Sequence, residues 1–353
     1  MRKTQVALAA LALVASTAAL ADGVKINGIL DYGVGNTTGV GGFFEQGGWA
    51  DHSSITFSGT QEVTNGVKAG FTLEAGFTQN GNPGNGGNGS LFSRESTINL
   101  SGDFGSVRLG QQVSPYIVSH AISNAGSPGA FWVNRIIMGG GLGAAAVGTG
   151  NGGYQAGGFF IANAVSYTTP DINGWTASLL TNTENGARDG TMATSSSDAD
   201  KYSSFNVIGA FGPINVTAGY QNRKDTYTSS VIGASTTFGD LTIAANISNH
   251  SPNATSANTN KGTKTSAQML SATYKLQEAL SLNVAYATND LATSQSLTSF
   301  GLKYDLSKST YAYVTYISGT NGAQSALSQR ANYAATGDTT TRNTSVVGIS
   351  HSF

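Results

Sequence analysis

The sequence predicts an all-β fold, a 16-stranded antiparallel barrel that crosses a membrane. Three observations carry this. Short runs alternate apolar with small or polar residues at period two, as in Ser96 to Ser101 and Ser106 to Leu109. The connectors between runs alternate in length: Gly102-Asp103-Phe104-Gly105 is a tight turn, whereas 113–157 runs on with Pro, Gly, Ser and Asn and no clear period. That asymmetry belongs to barrels with short turns on one side of a membrane and long loops on the other. Finally, only 10% of the 353 residues are charged and 47 are glycine, an unusual balance for a soluble domain.

Disorder accounts for abundant Gly, Ser and Asn, but not for Val, Ile, Leu, Phe and Tyr at every second position. After the first 21 residues no apolar run reaches the roughly 20 residues of a membrane helix. The best, Ile136 to Gly148, is short and broken by Gly139-Gly140-Gly141. Any span is therefore made of strands, and in hydrocarbon only a closed barrel satisfies every strand N–H and C=O.

The elements follow in order. Val24 to Val34 puts Val24, Ile26, Gly28, Leu30, Tyr32 and Val34 toward lipid, with Lys25, Asn27, Ile29, Asp31 and Gly33 on the other face. A loop to Ala50 leads to a strand from His52 to Gln61, with Ser54, Thr56 and Ser58 inward. After the turn Thr64-Asn65-Gly66, Val67 to Phe77 points Lys68, Thr72 and Glu74 inward. A Gly/Asn loop, 78–90, precedes the hairpin 96–109. The third long loop returns at Phe159 to Thr169, and Pro170 ends that strand because it cannot donate to a ladder.

The same rhythm continues through 175–183, 201–211, 214–222, 231–238, 241–249, 267–274, 280–288, 297–306, 310–318 and 342–353. This gives 16 strands, eight long loops and seven short turns, with 14 or 18 strands still open because boundaries are soft. An even count returns both termini to one side, and a barrel of about this size encloses water rather than a packed core.

Met1 to Ala21 reads as a cleaved signal peptide, leaving 22–353 as a single barrel domain. Arg2 and Lys3 form a basic start, Val6 to Val14 an apolar segment, and Ala19-Leu20-Ala21 a small-residue cleavage site. An uncleaved anchor is the weaker reading, because the apolar run is short. Without Arg2 and Lys3 the chain has 16 basic and 19 acidic residues, a charge of about −3 that argues against nucleic acid as a partner. With no cysteine, disulfides, thiolate metal sites and Cys nucleophiles are excluded. His52, His120, His250 and His351 are far apart in the chain and have no metal-ligand spacing. No cofactor and no enzymatic activity are expected.

Leu91 to Gln112, reading LFSRESTINLSGDFGSVRLGQQ, resembles the general trimeric porins of betaproteobacteria, in the Gram-negative porin family. Further matches run in order along the chain: VKINGILDYGV, SGTQEVTNGVKAGFTLEAGF, NAVSYTTPDINGW, YDLSKSTYAYVTYISG and the terminal VGISHSF. The resemblance implies a homotrimer of 16-stranded barrels in outer-membrane lipid, passing small solutes and ions. It implies a third loop folded inward to an eyelet, here roughly 114–157, and a terminal Phe353 read by the barrel-assembly machinery.

Anion-selective members of the family place arginines on the wall of the eyelet. Matching their frame puts Ser54, Glu95 and Phe160 at three such places, so all three departures remove positive charge. Between Gln111 and Pro170 the only formal charge is Arg135. The expected eyelet therefore opposes Glu95 with Arg135 or Arg94, with Phe160, Phe131 and Trp132 as apolar wall and Asp31 and Glu74 on the lumen face. Such a pore is weakly selective or mildly cation-selective, since fixed charge in a constriction acts strongly on an ion. Alternatives stay open residue by residue. Glu95 pairs with a wall neighbour instead, Arg94 shares the parity of lipid-facing Ile98 and Leu100, and Phe131 and Trp132 pin the loop rather than bind a solute.

Overall fold

The structure is a computed structural model. It describes residues 23–39, 42–47, 50–77, 91–126, 159–182, 201–224, 227–252, 264–290, 294–320 and 341–353. The strands are β1 Lys25–Thr37, β2 Phe44–Gly47, β3 Ser54–Thr64, β4 Val67–Gly76, β5 Glu95–Gly102, β6 Gly105–Val113, β7 Phe160–Thr168, β8 Thr176–Asn182 and β9 Tyr202–Phe211. They continue as β10 Ile214–Arg223, β11 Tyr227–Phe238, β12 Leu241–Pro252, β13 Thr265–Gln277, β14 Leu280–Asn289, β15 Ser296–Asp305, β16 Thr310–Gly319 and β17 Arg342–Ser352.

From β3 to β17 each strand pairs antiparallel with the next, β1 pairs with both β2 and β3, and β1 pairs with β17 from Ile29 opposite Ser352 to Thr37 opposite Thr344. The sheet thus closes and has no free edge, as strands in hydrocarbon require. β2 and β3 share one wall position, because they pair consecutive stretches of the same β1 edge: Lys25–Ile29 faces β3 and Tyr32–Gly35 faces β2. The wall therefore has the sixteen positions that the alternation predicts. The predicted loop before Ala50 is shorter than expected, since β1 runs to Thr37 and β2 is a strand.

Alternation sorts the two faces. Ile98, Leu100, Leu109, Ile232, Leu270, Phe300, Val314 and Val347 are exposed on the outer face. Between them Thr97, Asn246, Ser271, Asn283, Ser299 and Thr315 are inward and buried. Asn65 and Gly66, with φ of 41° and 79°, form a two-residue turn of the primed kind that matches strand twist. Asn173 and Gly174, at 55° and 84°, repeat it. Closure at the termini is a backbone pair, Gly28 N to Phe353 O at 2.9 Å and Phe353 N to Gly28 O at 3.0 Å. The Phe353 ring lies so close over Gly28 that a Cβ there would come within 2.2 Å of it.

The third connector begins with a helix, α1 Pro115–Ile122, which the sequence reading missed. Eight residues are too few for a period to show, yet Ser114-Pro115 is a helix-start signal. Ser114 Oγ does not cap α1; it meets Tyr202 Oη at 2.6 Å and donates to Ser204 Oγ at 3.2 Å. Asn206 Nδ2 donates to Pro115 O at 2.9 Å, Asn246 Nδ2 to Ser123 O at 3.1 Å, and Ala125 N to Ser271 Oγ at 3.0 Å. All these wall partners are inward-facing, so residues 114–126 lie against the inner wall from β9 to β13. Each bond contributes about 1 kcal/mol. Gly233 permits the approach: a Cβ there would sit 2.3 Å from Ser123 Cβ. The rest of the connector, with Arg135, Phe131 and Trp132, lies outside the described residues, as does the signal segment.

Candidate functional site: an inward charge constellation

The site gathers where the third connector leaves and re-enters the wall. β4 ends, and β3, β5 and β7 begin, at this level. Glu74 stands directly opposite Glu95 in the β4–β5 pairing, two carboxylates on neighbouring strands of one face. Such a pair is unfavourable without counter-charge. Each carboxylate has its own. Arg94 Nε donates to Glu74 Oε1 at 2.8 Å, and Arg108 Nη2 donates to the Glu95 carboxylate and to Thr97 Oγ1 at 3.3 Å.

Glu95 is therefore paired with Arg108 from its own hairpin rather than with Arg94, which corrects one expected pairing. Arg94 is not governed by the outward parity of Ile98 and Leu100, because β5 starts one residue later, at Glu95. Its guanidinium carbon lies 4.8 Å from the centre of the Phe160 ring, a cation–π contact. Phe160 is itself buried, packed on Phe159 with ring centres 4.7 Å apart, and offers little open wall. Ser54, the first residue of β3, is buried and neutral.

Asp31 is fully buried, so its charge lies behind the wall surface rather than on open lumen. Its Oδ2 accepts from Ala50 N at 2.8 Å and from Asp51 N at 3.0 Å. On this edge β1 has no ladder partner at Asp31, lying between its pairings with β3 and β2. Ser53 Oγ supplies the missing partner, accepting from Asp31 N at 3.0 Å and donating to Asp31 O at 3.3 Å. Residues 50–53 thus form an arch tied down by Asp31, the kind of strand interruption that re-aims side chains.

What the arch aims is Asp51 and His52. His52 Nδ1 lies 2.8 Å from Asp51 Oδ1, and His52 Nε2 lies 3.0 Å from Glu74 Oε1. Burial works to lower the His52 pKa, but the Asp51 and Glu74 carboxylates override it and hold the imidazole above its ordinary value. Burial likewise pushes Asp51 up, and its bonds to His52 and the charge of that ring bring it below the usual carboxylate value. Side chains of Asp51 and His52 remain 42% and 31% exposed, against 14% for Glu74, so they are the accessible end of the chain of charges.

A model of the Gram-negative porin family matches residues 7–324. The chain belongs to that family. This porin is 36% identical over 188 residues to outer membrane porin protein 32 of Delftia acidovorans, an alignment of 50% of the chain with 48% of that protein. The match thus spans about half the length of that relative. Among solved structures the porin resembles the anion-selective porin from Comamonas acidovorans, with a TM-score of 0.69 at 22% identity over 94% of this chain and 99% of that one. Salmonella typhi OmpF, in complex with daunomycin, gives 0.65 at 15% identity over 94% and 97%. At such identities these structures establish the fold alone, a closed antiparallel β-barrel.

Of the residues singled out from sequence, the structure brings Glu74, Arg94 and Phe160 together and seats Glu95 opposite Glu74. Arg108 was readable, since Val107 and Leu109 point outward and leave it inward. His52 shares the inward parity of Ser54 in the expected strand, but β3 begins only at Ser54, and the turn of Asp51 onto His52 was not readable because the arch breaks the alternation.

Proposed function

We propose that this porin is a non-enzymatic, water-filled channel for passive diffusion of small hydrophilic solutes and ions, with weak or mildly cation-favouring selectivity. The observation that supports it is the pairing of both arginines of the constellation with carboxylates. Arg94 is held by Glu74 and Arg108 by Glu95, so neither guanidinium stands free to concentrate anions. With Asp51 added and His52 neutral, the constellation carries one net negative charge. The Comamonas acidovorans structure is of an anion-selective porin. At 22% identity its selectivity is not carried over, and the sequence resemblance implies that Ser54, Glu95 and Phe160 stand where anion-selective members place arginines.

On this reading the functional unit is a homotrimer seated in outer-membrane lipid. Residues 1–21 are removed on export, and Phe353 is presented to the barrel-assembly machinery. The third connector, docked through 114–126, narrows the lumen. A solute-binding strip through Phe160 is not favoured, because that ring is covered by Arg94 and Phe159. Liposome swelling with uncharged sugars tests the proposal. Swelling rates that fall with solute size and do not saturate are expected; proteoliposomes as tight as empty liposomes would overturn it.

A further inference from the structure

We propose that His52 is a specificity-determining residue of the channel, a clamp whose protonation state decides whether the wall constellation presents one negative charge or none. The inference rests on the channel reading above and goes beyond it in naming the residue and the sense of its effect.

The geometry carries the argument. Both ring nitrogens of His52 face carboxylate oxygens, Asp51 at 2.8 Å and Glu74 at 3.0 Å. An ionised carboxylate only accepts hydrogen bonds, and a neutral imidazole has only one N–H. Both contacts are therefore satisfied only by the imidazolium, which donates from both nitrogens. When the proton leaves, one nitrogen turns a lone pair toward a carboxylate oxygen and that side of the clamp must open. Nothing else in the group compensates. Glu74 keeps Arg94, but Asp51 on the arch is left as an unneutralised, accessible carboxylate.

The groups facing His52 are Asp51 beside it on the arch, Glu74 from β4, and Arg94 from the segment before β5. Glu95 and Arg108 form the adjoining pair, and Asp31 sits behind Asp51 holding the arch. Three accessible or part-buried carboxylates against two guanidiniums leave one negative charge above the imidazole's titration and none below it. The same two carboxylates hold the imidazole pKa above its ordinary value, so this change lies above the pH at which a free histidine titrates. A unit charge about 6 Å from a passing ion in a water-like medium, screened by 0.1 M salt, changes its local concentration roughly twofold.

The test is the cation-to-anion permeability ratio of the full-length channel in planar bilayers under a potassium chloride gradient, from pH 5 to 9. The wild-type ratio should fall roughly fourfold as the solution is acidified through the His52 titration, about twofold from each ion in opposite senses. His52→Asn, which carries no titratable proton, should hold one ratio at every pH, at the wild-type alkaline value. Two controls, His120→Asn and His250→Asn, should titrate like the wild type. A wild-type ratio that does not change with pH overturns the proposal without needing any variant. So does a His52→Asn channel that titrates as before. Absence of conductance at every pH would instead overturn the channel reading on which the proposal rests.

Discussion

Replacing Asp31 by Asn should loosen the arch without disturbing the barrel. The carboxylate accepts two backbone N–H bonds, from Ala50 at 2.8 Å and Asp51 at 3.0 Å. Bonds to a charged acceptor contribute about 1.5–3 kcal/mol each, and bonds to a neutral one about 0.5–1.5 kcal/mol. Asn keeps an amide oxygen at the same place, so the expected loss is the difference, about 1–1.5 kcal/mol per bond. Burying a carboxylate costs desolvation that Asn avoids, which trims the sum to about 2 kcal/mol. That corresponds to amide exchange roughly 30-fold faster at Ala50 and Asp51. Asp31→Leu, which leaves both donors without an acceptor, should exceed it. Hydrogen exchange on the detergent-solubilised protein reads both variants, with amides of β10 to β16 as the internal reference. Unchanged protection at Ala50 and Asp51 in both would refute the claim that Asp31 holds the arch. Uniform loss across the reference strands would show instead that Asp31 supports the whole wall.

Three further outcomes follow from other contacts. Glu95→Gln and Arg108→Gln should move the reversal potential in opposite directions, the first away from cation preference and the second toward it. Shifts of the same sign in both would sink the pairing argument. Gly110→Ala should cost about 2 kcal/mol or more and lower the temperature at which the folded barrel loses its fast electrophoretic mobility. At φ 119° its Cβ would lie 2.0 Å from the Ser96 carbonyl oxygen, a backbone atom that cannot step aside. Burial pushes the His120 pKa down to about 3, so the docked helix holds the ring neutral. A released helix takes up the proton below the ordinary value of 6.5, so docking weakens steadily as pH falls from there toward 3. Exchange of α1 amides, corrected for intrinsic rates, should rise over that window, and His120→Leu should abolish the rise.

The wall was legible because lipid imposes a strict rule: a side chain faces hydrocarbon or water, and strands alternate. Ile98, Leu100, Val107 and Leu109 show this so plainly that Arg108 opposite Asn99 could have been placed inward from the same run. The rule fails where a strand is interrupted. Arg94 has the outward parity but precedes the first residue of β5, so it turns to Glu74. Asp31 has the inward parity, yet the arch closes over it. Asp51 and His52 owe their positions to Asp31, a contact across about 20 residues of sequence that no local pattern encodes. Helix α1 had a start signal in Ser114-Pro115 but was too short for a period, and its docking depends on Gly219 in β10 and Gly233 in β11, about 100 residues on.

The most direct measurement is the zero-current potential of the wild-type channel in a tenfold potassium chloride gradient, taken on the alkaline side of the His52 titration. Paired arginines and one residual negative charge predict a modest potential of cation-selective sign, about 27 mV where an ideally selective pore gives about 59 mV. A large potential of anion-selective sign would mean that free positive charge governs the constriction, and would contradict the account.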